Sequence, residues 1–486
     1  MHVLILGAYG SAGVAAAERL LARADGRSVD LRLTLVDDGD PGGGLCILDG
    51  CMPSKEVLSA AAHRFQARHD DRVLGTPEVD LESVVATKDE HVESFAAHRR
   101  AAVHRMAERE NVEFLHARGE FVDDRRVRVG DREFDTDYVV VATGSVPDVP
   151  DLPGIEEVDP MLSSEILDAT RLPDSAVVMG FGYVGMELVP YLAEAGGTDV
   201  TVVEHDARPL DEADPAFGDA LLELYREAFG VEVLTHTRER SVEATGEGVR
   251  LHLERSPPEG GGERGEGGDG RESESGEFAV EADRLVTVTG RRPNLDGLGL
   301  EHTALSPGEG WVTDTMRAAD DDRVFVVGDA NGREPILHVA KEQGHRAAEN
   351  VLRHARGDPL EPYENVHHHV VFSGLATYPY ARVGHSEASA REAGLDCEAV
   401  TRQASDDGVF RTKAHPEGLA SLVVGADGTV LGYQGLHYHA DVMAKTMQVV
   451  VERGMDVREV PDRAYHPTTP EILDGLFRAG ADALGD

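Results

Sequence analysis

The sequence predicts an α/β protein with two nucleotide-binding βαβ units and a C-terminal α+β domain. Each βαβ unit is indicated by a glycine turn that follows a short apolar run, at residues 7–13 and 180–185. From about residue 350 the strand-like runs and helices contain no nucleotide turn, which indicates the α+β domain. A chain of 486 residues with 41% apolar residues is long enough for about two to four globular domains, each with its own core.

The charge and composition of the chain exclude several classes of protein. Its 90 acidic and 47 basic residues give a formal charge of −43, and such a surface repels the phosphates of nucleic acids. We attribute the acidity to a salt-rich cytoplasm, since salt is needed to screen it. No apolar run approaches the ~18–20 residues that span a bilayer, and the start "MHVLILGAYG" lacks the charged region of a signal peptide. Three cysteines do not make a disulfide scaffold, so we expect a cytoplasmic protein with no membrane partner.

The first βαβ unit begins at the second residue. The run "HVLIL" predicts a strand, "GAYGSAG" a turn, "VAAAERLLARA" a helix, and "VDLRLTLVD" a second strand that ends at Asp37. The turn glycines are Gly7, Gly10 and Gly13. Glycines let the backbone approach a pyrophosphate, and an acidic residue in the position of Asp37 would hold a nucleotide ribose. The spacing is GxxGxxG, with Tyr9 where the usual fingerprint has glycine.

The second βαβ unit begins near residue 175 and has the regular fingerprint. Its glycines, Gly180, Gly182 and Gly185, have GxGxxG spacing. The next strand, "DVTVVE", is expected to end at Glu204, about 20 residues later. A carboxylate there accepts hydrogen bonds from a ribose diol and repels a 2′-phosphate, so NAD is favoured over NADP. Arg208, close downstream, leaves NADP possible.

Two dinucleotide folds suggest two dinucleotides, one a nicotinamide and the other a flavin. Two further strand-and-turn segments fit this: "YVVVATGSVPDVP", from Tyr138 to Pro150, and "DRVFVVGDANG", from Asp322 to Gly332. Asp329 follows the second strand, at the carboxyl end where ligands bind in an α/β sheet. Each segment taken alone also fits an ordinary strand and turn.

Two other segments are predicted to be structural. The acidic, glycine-rich run "RSPPEGGGERGEGGDGRESESGE", residues 255–277, predicts a flexible surface loop. His367, His368 and His369 suggest a metal cluster as one alternative. Adjacent side chains of a strand point to opposite faces, however, so we expect a strand entering a sheet and no metal site.

The segment "GGGLCILDGCMPSKEVL" holds two of the three cysteines, Cys46 and Cys51. Zinc needs about four ligands, and neither His63 nor the distant Cys397 completes such a set. A structural disulfide is disfavoured in a reducing cytoplasm. A redox-active pair remains. Pro53 and the helical run after it predict that Cys51 lies near a helix N-terminus, where the dipole favours a thiolate.

Taken in order, these segments resemble those of the class I pyridine nucleotide–disulfide oxidoreductases, the family of dihydrolipoamide dehydrogenase, glutathione reductase and mercuric reductase. "GGGLCILDGCMPSK" resembles the active-site segment of the family, "ATGSVP" its FAD-domain segment and "GFGYVGMELV" its NAD turn. "TGRRPN", "FVVGDA", "ILHVAKEQG" and "VGHSEASA" match further segments, and "YHPTTPE" resembles the catalytic histidine segment. The resemblance covers nearly the whole chain, and the acidic composition makes it a halophile-type member.

The resemblance implies roles for the residues near the cysteines. Cys51 would lie against the flavin as the charge-transfer thiolate, and Cys46 would exchange with the substrate disulfide. Lys55 would pair with Glu187 near the flavin N5. In this chain "CILDGC" replaces the more usual Asn-Val pair between the cysteines, and the C-terminal cysteine pair of mercuric reductases is missing.

The resemblance also implies that His466 is the acid/base, oriented by Glu471. A carboxylate beside an imidazole fixes its tautomer and raises its basicity. In the family this histidine serves the cysteine pair of the partner subunit, so an obligate homodimer is implied. The expected cofactor residues are Gly7, Gly10, Gly13, Asp37, Lys55, Thr143, Gly144 and Asp329 for FAD, and Gly180, Gly182, Gly185, Glu204 and Gly290 for NAD.

The expected fold class is therefore two Rossmann-like dinucleotide-binding domains, for FAD and NAD, plus a C-terminal α+β dimerisation domain. The FAD domain would comprise residues 1–148 and 291–349, the NAD domain residues 149–290 and the interface domain residues 350–486. The leading functional interpretation is a dihydrolipoamide dehydrogenase that acts on a small-molecule or lipoyl-domain dithiol. Three alternatives stay open: a reductase of a small disulfide such as bis-γ-glutamylcystine or glutathione, a quinone or diaphorase reductase, and a non-catalytic flavoprotein subunit.

Overall fold

The computed structural model describes residues 1–25, 30–256 and 276–485. The strands up to residue 234 are β1 (His2–Leu6), β2 (Arg32–Asp37), β3 (Val112–His116), β4 (Gly119–Phe121), β5 (Arg126–Val129), β6 (Arg132–Asp135), β7 (Tyr138–Val141), β8 (Ser145–Pro147), β9 (Ser175–Met179), β10 (Asp199–Val203) and β11 (Glu232–Leu234). The later strands are β12 (Thr237–Ala244), β13 (Val249–Arg255), β14 (Gly276–Ala282), β15 (Arg284–Thr287), β16 (Arg291–Pro293), β17 (Val324–Val326), β18 (His368–Val371), β19 (Tyr380–Gly384), β20 (Cys397–Gln403), β21 (Gly418–Gly425) and β22 (Val430–His437).

The helices are α1 (Ser11–Asp25), α2 (Leu45–Leu48), α3 (Cys51–His69), α4 (Leu81–Ala107), α5 (Ser163–Asp168), α6 (Tyr183–Tyr191), α7 (Pro215–Phe229), α8 (Leu337–Arg356), α9 (Glu387–Glu392), α10 (Gly408–Thr412), α11 (Ala440–Glu452) and α12 (Glu471–Ala483). Within the part of the chain that the structure describes, none of the helices is both long and apolar enough to cross a membrane.

Contacts between Cα atoms divide the chain into two compact units. The first unit consists of Met1–Pro53, Ala86–Asp148 and Arg291–Asn365. The second consists of Ser54–Val85, Val149–Gly290 and Val366–Asp486. The division into three domains that the sequence suggests remains a prediction.

The first unit is built on a parallel sheet with the strand order β17-β7-β1-β2-β3. The central strand is fully buried at Val3, Leu4 and Ile5, which is typical of a parallel strand covered on both faces. Helices α1 and α8 pack against each other, and the antiparallel sheets β4-β5-β6 and β16-β8 complete the unit. The predicted order of strand, turn, helix and strand is confirmed, and β2 ends at Asp37.

The second unit contains another parallel sheet, in the order β11-β10-β9-β15, and the antiparallel sheet β12-β13-β14. The second βαβ unit is confirmed, although β10 ends at Val203, one residue earlier than expected. The predicted loop 255–277 is wrong at its ends, because Arg255 pairs with Gly276 in the β13–β14 ladder. The alternating burial of β13 extends the strand to Arg255. Residues 257–275 of that loop lie outside the described residues.

The C-terminal part of the second unit forms an antiparallel sheet with the order β18-β19-β22-β21-β20. Helix α11 packs on β19 and β22, and α12 packs on β20 and β21. The strand expected at the three histidines is confirmed, since β18 begins at His368. Two parallel sheets of the dinucleotide-binding type and this antiparallel α+β sheet confirm the predicted fold class.

Candidate active site

Cys46 and Cys51 lie close together across a tight turn. Cys46 is on α2 and Cys51 is the first residue of α3, as the sequence predicts. Gly50 allows this turn, because a Cβ there would lie 2.9 Å from the carbonyl oxygen of Leu45 and 3.1 Å from Cys46 Cα. Cys46 is half-buried, Cys51 is exposed, and both are free thiols.

The surroundings distinguish the two thiols. A hydrogen bond from the Cys46 thiol to Cys51 raises the pKa of Cys46, and burial raises it further. The charge of Arg99 acts in the opposite direction. Cys51 lies at the first position of a 19-residue helix, whose dipole favours negative charge there. The arrangement therefore favours a Cys51 thiolate that accepts a hydrogen bond from Cys46.

The first glycine turn is shaped for close approach of the backbone. Gly7 has φ +90°, and a Cβ there would lie 2.2 Å from the carbonyl oxygen of Ala142. The N–H of Gly10 donates to the Gly7 carbonyl (3.2 Å). Gly13 lies in the first turn of α1, which begins at Ser11. The helix N-terminus therefore follows the glycine turn directly, as a pyrophosphate site requires.

Asp37 and Tyr9 form the rest of this turn. Asp37 accepts the backbone N–H groups of Tyr9 (2.8 Å) and Gly39 (2.9 Å). Burial raises the pKa of Asp37, and these hydrogen bonds oppose the shift. The Tyr9 ring is buried and its hydroxyl is hydrogen-bonded to His104 Nε2 (2.9 Å), so the side chain that replaces the usual glycine packs inside the unit. Arg99 donates to the Tyr9 carbonyl (3.0 Å), which adds a cation to the turn.

Thr143 and Gly144, two of the predicted FAD residues, follow β7 and are fixed by the segment around Asn294. Thr143 Oγ1 donates to the Asn294 carbonyl (2.7 Å), and the Asn294 N–H donates to the Gly144 carbonyl (2.9 Å). Both residues therefore lie at the carboxyl end of a parallel strand, which is the ligand-binding edge of such sheets.

Asp329 lies after β17 in a network that the sequence analysis missed. Ser145 Oγ donates to Asp329 Oδ2 (2.7 Å), and Arg291 Nε donates to Ser145 Oγ (2.9 Å). Burial lowers the pKa of Arg291, and the charges of Asp329 and Asp49 oppose that shift. Asp49 belongs to "CILDGC", so Arg291 offsets the charge that this segment adds near the thiols. Ser145 and Arg291 lie within the family segments "ATGSVP" and "TGRRPN". The resemblance of these segments to the family was the signal that could have identified the two residues.

The structure brings Lys55 and Glu187 together as an ion pair. Lys55 Nζ lies 2.7 and 2.8 Å from the two carboxylate oxygens of Glu187. It also lies 4.3 Å from the centre of the Phe372 ring, and the Phe372 N–H donates to Glu187 (3.2 Å). Contacts with both the carboxylate and the ring fix the position of the Lys55 charge.

The second glycine turn has the geometry that its fingerprint predicts. Gly180 has φ +97°, and a Cβ there would lie 2.7 Å from the carbonyl oxygen of Val288. Gly182 precedes the first residue of α6, and Gly185 lies in the first turn of that helix. Gly290 lies three residues after the end of β15 and has φ +115°. The free N–H groups of α6 thus follow the turn, as in the first unit.

Glu204 directly follows β10, in the position expected of a ribose-binding carboxylate. Burial raises the pKa of Glu204, and the N–H of Asp206, 2.8 Å from Oε1, opposes the shift. Arg208 donates from Nε to Asp219 Oδ1 (2.7 Å), so its charge is already paired. The carboxylate therefore dominates this position over Arg208.

His466 and Glu471 are also brought together. His466 Nδ1 lies 3.0 and 3.2 Å from the two oxygens of Glu471. Glu471 is the first residue of α12 and accepts the N–H of Thr468 (2.8 Å). The hydrogen bond from His466 lowers the pKa of Glu471. The His466 side chain is 80% exposed, so its ring is accessible outside its own unit.

A thiol pair in a protein with two dinucleotide sheets defines a redox enzyme that exchanges electrons between sulfur and dinucleotide cofactors. The family described as pyridine nucleotide-disulphide oxidoreductase matches residues 1–344, and the chain belongs to this family as a class I member. The dimerisation domain of the family matches residues 370–476, which supports a homodimer. The protein is thus an FAD- and NAD(P)-dependent oxidoreductase that acts on sulfur groups.

The chain is similar to relatives with different substrates. It is 28% identical to a dihydrolipoyl dehydrogenase of Halobacterium salinarum, over 94% of this chain and 92% of that protein. It is also 28% identical to a mercuric reductase of Streptomyces lividans, over 95% of this chain and 92% of that protein. The halophilic relative agrees with the acidic composition.

Among solved structures, LpdA of Mycobacterium tuberculosis has the same fold. It superposes with a TM-score of 0.80, covers 99% of both chains and is 23% identical in sequence. The HOCl-induced flavoprotein disulfide reductase RclA of Escherichia coli gives a TM-score of 0.78 at 22% identity, over 98% of this chain and 99% of that chain. At these identities the likeness concerns the fold.

We expect Cys51→Ala to lower the pKa of Cys46 towards its ordinary value, because the variant removes the hydrogen bond that raises it. A raised pKa keeps the thiol protonated to higher pH, so reduced Cys51→Ala should be alkylated at Cys46 at lower pH than the wild type. Alkylation rates against pH, read by peptide mass spectrometry, measure this shift. Cys397→Ser is the control and should leave the profile unchanged. An unshifted profile in Cys51→Ala would contradict the contact between the thiols.

We expect Glu204→Ala to raise kcat/KM for NADPH relative to NADH by roughly 10–100-fold, because it removes the carboxylate that repels a 2′-phosphate. Two charges about 4 Å apart interact by about 4 kcal/mol at an effective dielectric constant of about 20, and salt reduces this. Arg208→Ala should leave the ratio unchanged, because Arg208 is paired with Asp219. The assignment fails if Arg208→Ala changes the preference and Glu204→Ala does not.

Proposed function

We propose that this protein is a dihydrolipoamide dehydrogenase, which oxidises dihydrolipoamide with NAD+ to give lipoamide, NADH and a proton. The observation that carries the proposal is Glu204, a half-buried carboxylate directly after β10, with Arg208 paired to Asp219. This arrangement favours NAD, the electron acceptor in dihydrolipoamide oxidation, whereas reduction of a small disulfide is expected to draw on NADPH.

We assign the sulfur exchange to Cys46 and Cys51. A substrate thiolate attacks Cys46 Sγ of the Cys46–Cys51 disulfide, forms a mixed disulfide and releases Cys51 as a thiolate. The second substrate thiolate then attacks the substrate sulfur of the mixed disulfide, which closes the lipoamide ring and releases Cys46. Two electrons pass from the substrate to the protein, and one sulfur–sulfur bond breaks as another forms. The start of α3 at Cys51 supports this order, since the helix N-terminus favours the leaving thiolate.

We assign the proton transfer to His466 of the partner subunit. Nδ1 of this residue faces Glu471, so Nε2 is the atom left to take the proton of the substrate thiol. Glu471 holds the tautomer and stabilises the imidazolium that forms. The exposed imidazole supports a role outside its own subunit.

Bound FAD would supply the two-electron chemistry that links the protein thiols to NAD+. We assign the binding of its pyrophosphate to the turn Gly7–Gly13, with Asp37 at the ribose and Asp329 at the ribityl chain. Arg99 adds a cation at the first turn. Lys55, held by Glu187, would stabilise negative charge on the ring.

The substrate would be free dihydrolipoamide or the lipoyl arm of a carrier domain. We infer a cytoplasmic location, because three cysteines in a chain of 486 residues do not make the disulfide scaffold of a secreted protein. Nucleic acids are not expected as partners, because the net charge is −43.

Steady-state rates at high salt test the proposal. The substrates are dihydrolipoamide with NAD+ and NADP+, and lipoamide, glutathione disulfide and bis-γ-glutamylcystine with NADH and NADPH. We expect the highest kcat/KM with dihydrolipoamide and NAD+. A higher value for either of the other disulfides would make the protein a small-disulfide reductase. Activity with a quinone alone would favour the diaphorase alternative.

We expect His466→Ala to reduce lipoamide-linked turnover by roughly 10²–10⁴-fold, because it removes a positioned acid/base. NADH-dependent quinone reduction should persist, because a quinone needs no protonation of a thiol. His98→Ala, a change at an exposed histidine of α4, is the matched control. Equal loss of both activities at unchanged FAD content would show that His466 is not the acid/base.

A further inference from the structure

A cluster of side chains of the types that bind metals lies in the second unit, and none of its members is assigned a role above. It consists of Glu212, His367 and His369, and one ligand atom from each lies within 4.8 Å of the others. His367 Nε2 is 2.9 Å from His369 Nδ1, and His369 Nε2 is 3.0 Å from Glu212 Oε1. No sequence pattern points to this carboxylate, because Glu212 precedes α7 and is far from the histidines along the chain.

The register of β18 explains why two of the three histidines take part. His367 and His369 are two residues apart, so they share a side of the chain, and His368 lies on the other side. Pairing with β19 fixes this register, with His369 opposite Arg382. The strand therefore places His367 and His369 on one side of the chain, although it keeps His368 away from them.

The burial and charge of the cluster suit a cation. The His369 side chain is 3% exposed, and an imidazole nitrogen offers a lone pair to a metal ion. Glu212 is in contact with the Tyr183 hydroxyl and with His369 Nε2, so its carboxylate faces the two histidines. The set is thus two imidazoles and one carboxylate, side chains that ligate many transition-metal ions.

The spacing of the two imidazoles is close to that of a metal site. Two nitrogens bound at about 2.0–2.1 Å to one tetrahedral ion are about 3.3–3.4 Å apart, and the hydrogen-bonded His367 Nε2 and His369 Nδ1 are 2.9 Å apart. The rings are nearly perpendicular, at 87°. Glu212 Oε1 contacts the other ring nitrogen of His369, Nε2. The Glu212 side chain is 30% exposed, so it has room to turn an oxygen towards an ion bound at Nδ1.

We propose that Glu212, His367 and His369 bind a divalent transition-metal ion of borderline softness, such as Zn²⁺, with water completing its coordination. Imidazole and carboxylate ligands select such ions over Mg²⁺ and Ca²⁺, which prefer oxygen. The site is independent of the function proposed above, because it uses neither the thiols nor His466. Tyr183, which donates to Glu212, is the first residue of α6 after the NAD turn, so the ion would lie beside that turn.

Zn²⁺ binding to the full-length holoenzyme tests the site. The protein carries Cys46→Ser and Cys51→Ser, so that zinc cannot bind the thiols, and a chromophoric chelator competes for the ion at neutral pH and high salt. We expect one ion per chain. His369→Gln and Glu212→Gln should each weaken binding by about tenfold or more. His368→Gln, the adjacent histidine on the other side of the strand, is the matched control and should bind as the parent does.

The second readout is Co²⁺, whose visible bands report its ligands. We expect bands typical of nitrogen and oxygen ligands, and we expect Glu212→Gln to lose them. Glu212 is partly exposed, so the fold should tolerate this change. FAD content and circular dichroism show that each variant is folded. Absence of stoichiometric binding, or binding that survives both His369→Gln and Glu212→Gln, would overturn the proposal.

Discussion

The short turn that brings Cys46 against Cys51 is the constraint on which the rest of the site depends. It needs Gly50, where any side chain would press against Leu45 and Cys46, and it needs a helix that begins at Cys51 itself. The two thiols then differ in character: Cys46 donates and keeps its proton, and Cys51 has the helix dipole. The proposed exchange of sulfur at Cys46 and the proposed release of a thiolate at Cys51 both rest on this difference.

Each unit carries cations held in fixed positions, although the chain as a whole is strongly acidic. In the first unit, Arg99 lies at the glycine turn and Arg291 is aligned by Ser145. In the second, Lys55 is held by Glu187 and Phe372. These few cations change the net charge of −43 very little. Their value is local, because a partly buried charge acts on a nearby group far more strongly than an exposed one.

The sequence predicted the features that depend on local pattern. Both βαβ units, the strand at the three histidines and the start of α3 at Cys51 follow from apolar periodicity, glycine turns and helix signals, and the structure contains them. The predicted loop begins too early, at Arg255. The alternating burial of β13 continues to that residue, although the composition already becomes polar and glycine-rich there.

What the sequence could not predict were contacts between distant segments. Arg291 with Asp329, Arg99 with the first turn, and Glu212 with the histidines each join segments that are far apart along the chain. Such pairs depend on sheet order and register, which one sequence does not encode in any local signal.

We propose that the thiols of one subunit work with His466 of the partner subunit, and a mixed dimer tests this most directly. Subunits carrying Cys46→Ser and subunits carrying His466→Ala, each with its own affinity tag, are co-expressed and the mixed dimer is isolated through both tags. Each variant homodimer should lack lipoamide-linked turnover. The mixed dimer should recover about half of the wild-type activity, because one of its two sites is then complete. A mixed dimer as inactive as either homodimer, at full FAD content, would contradict the account.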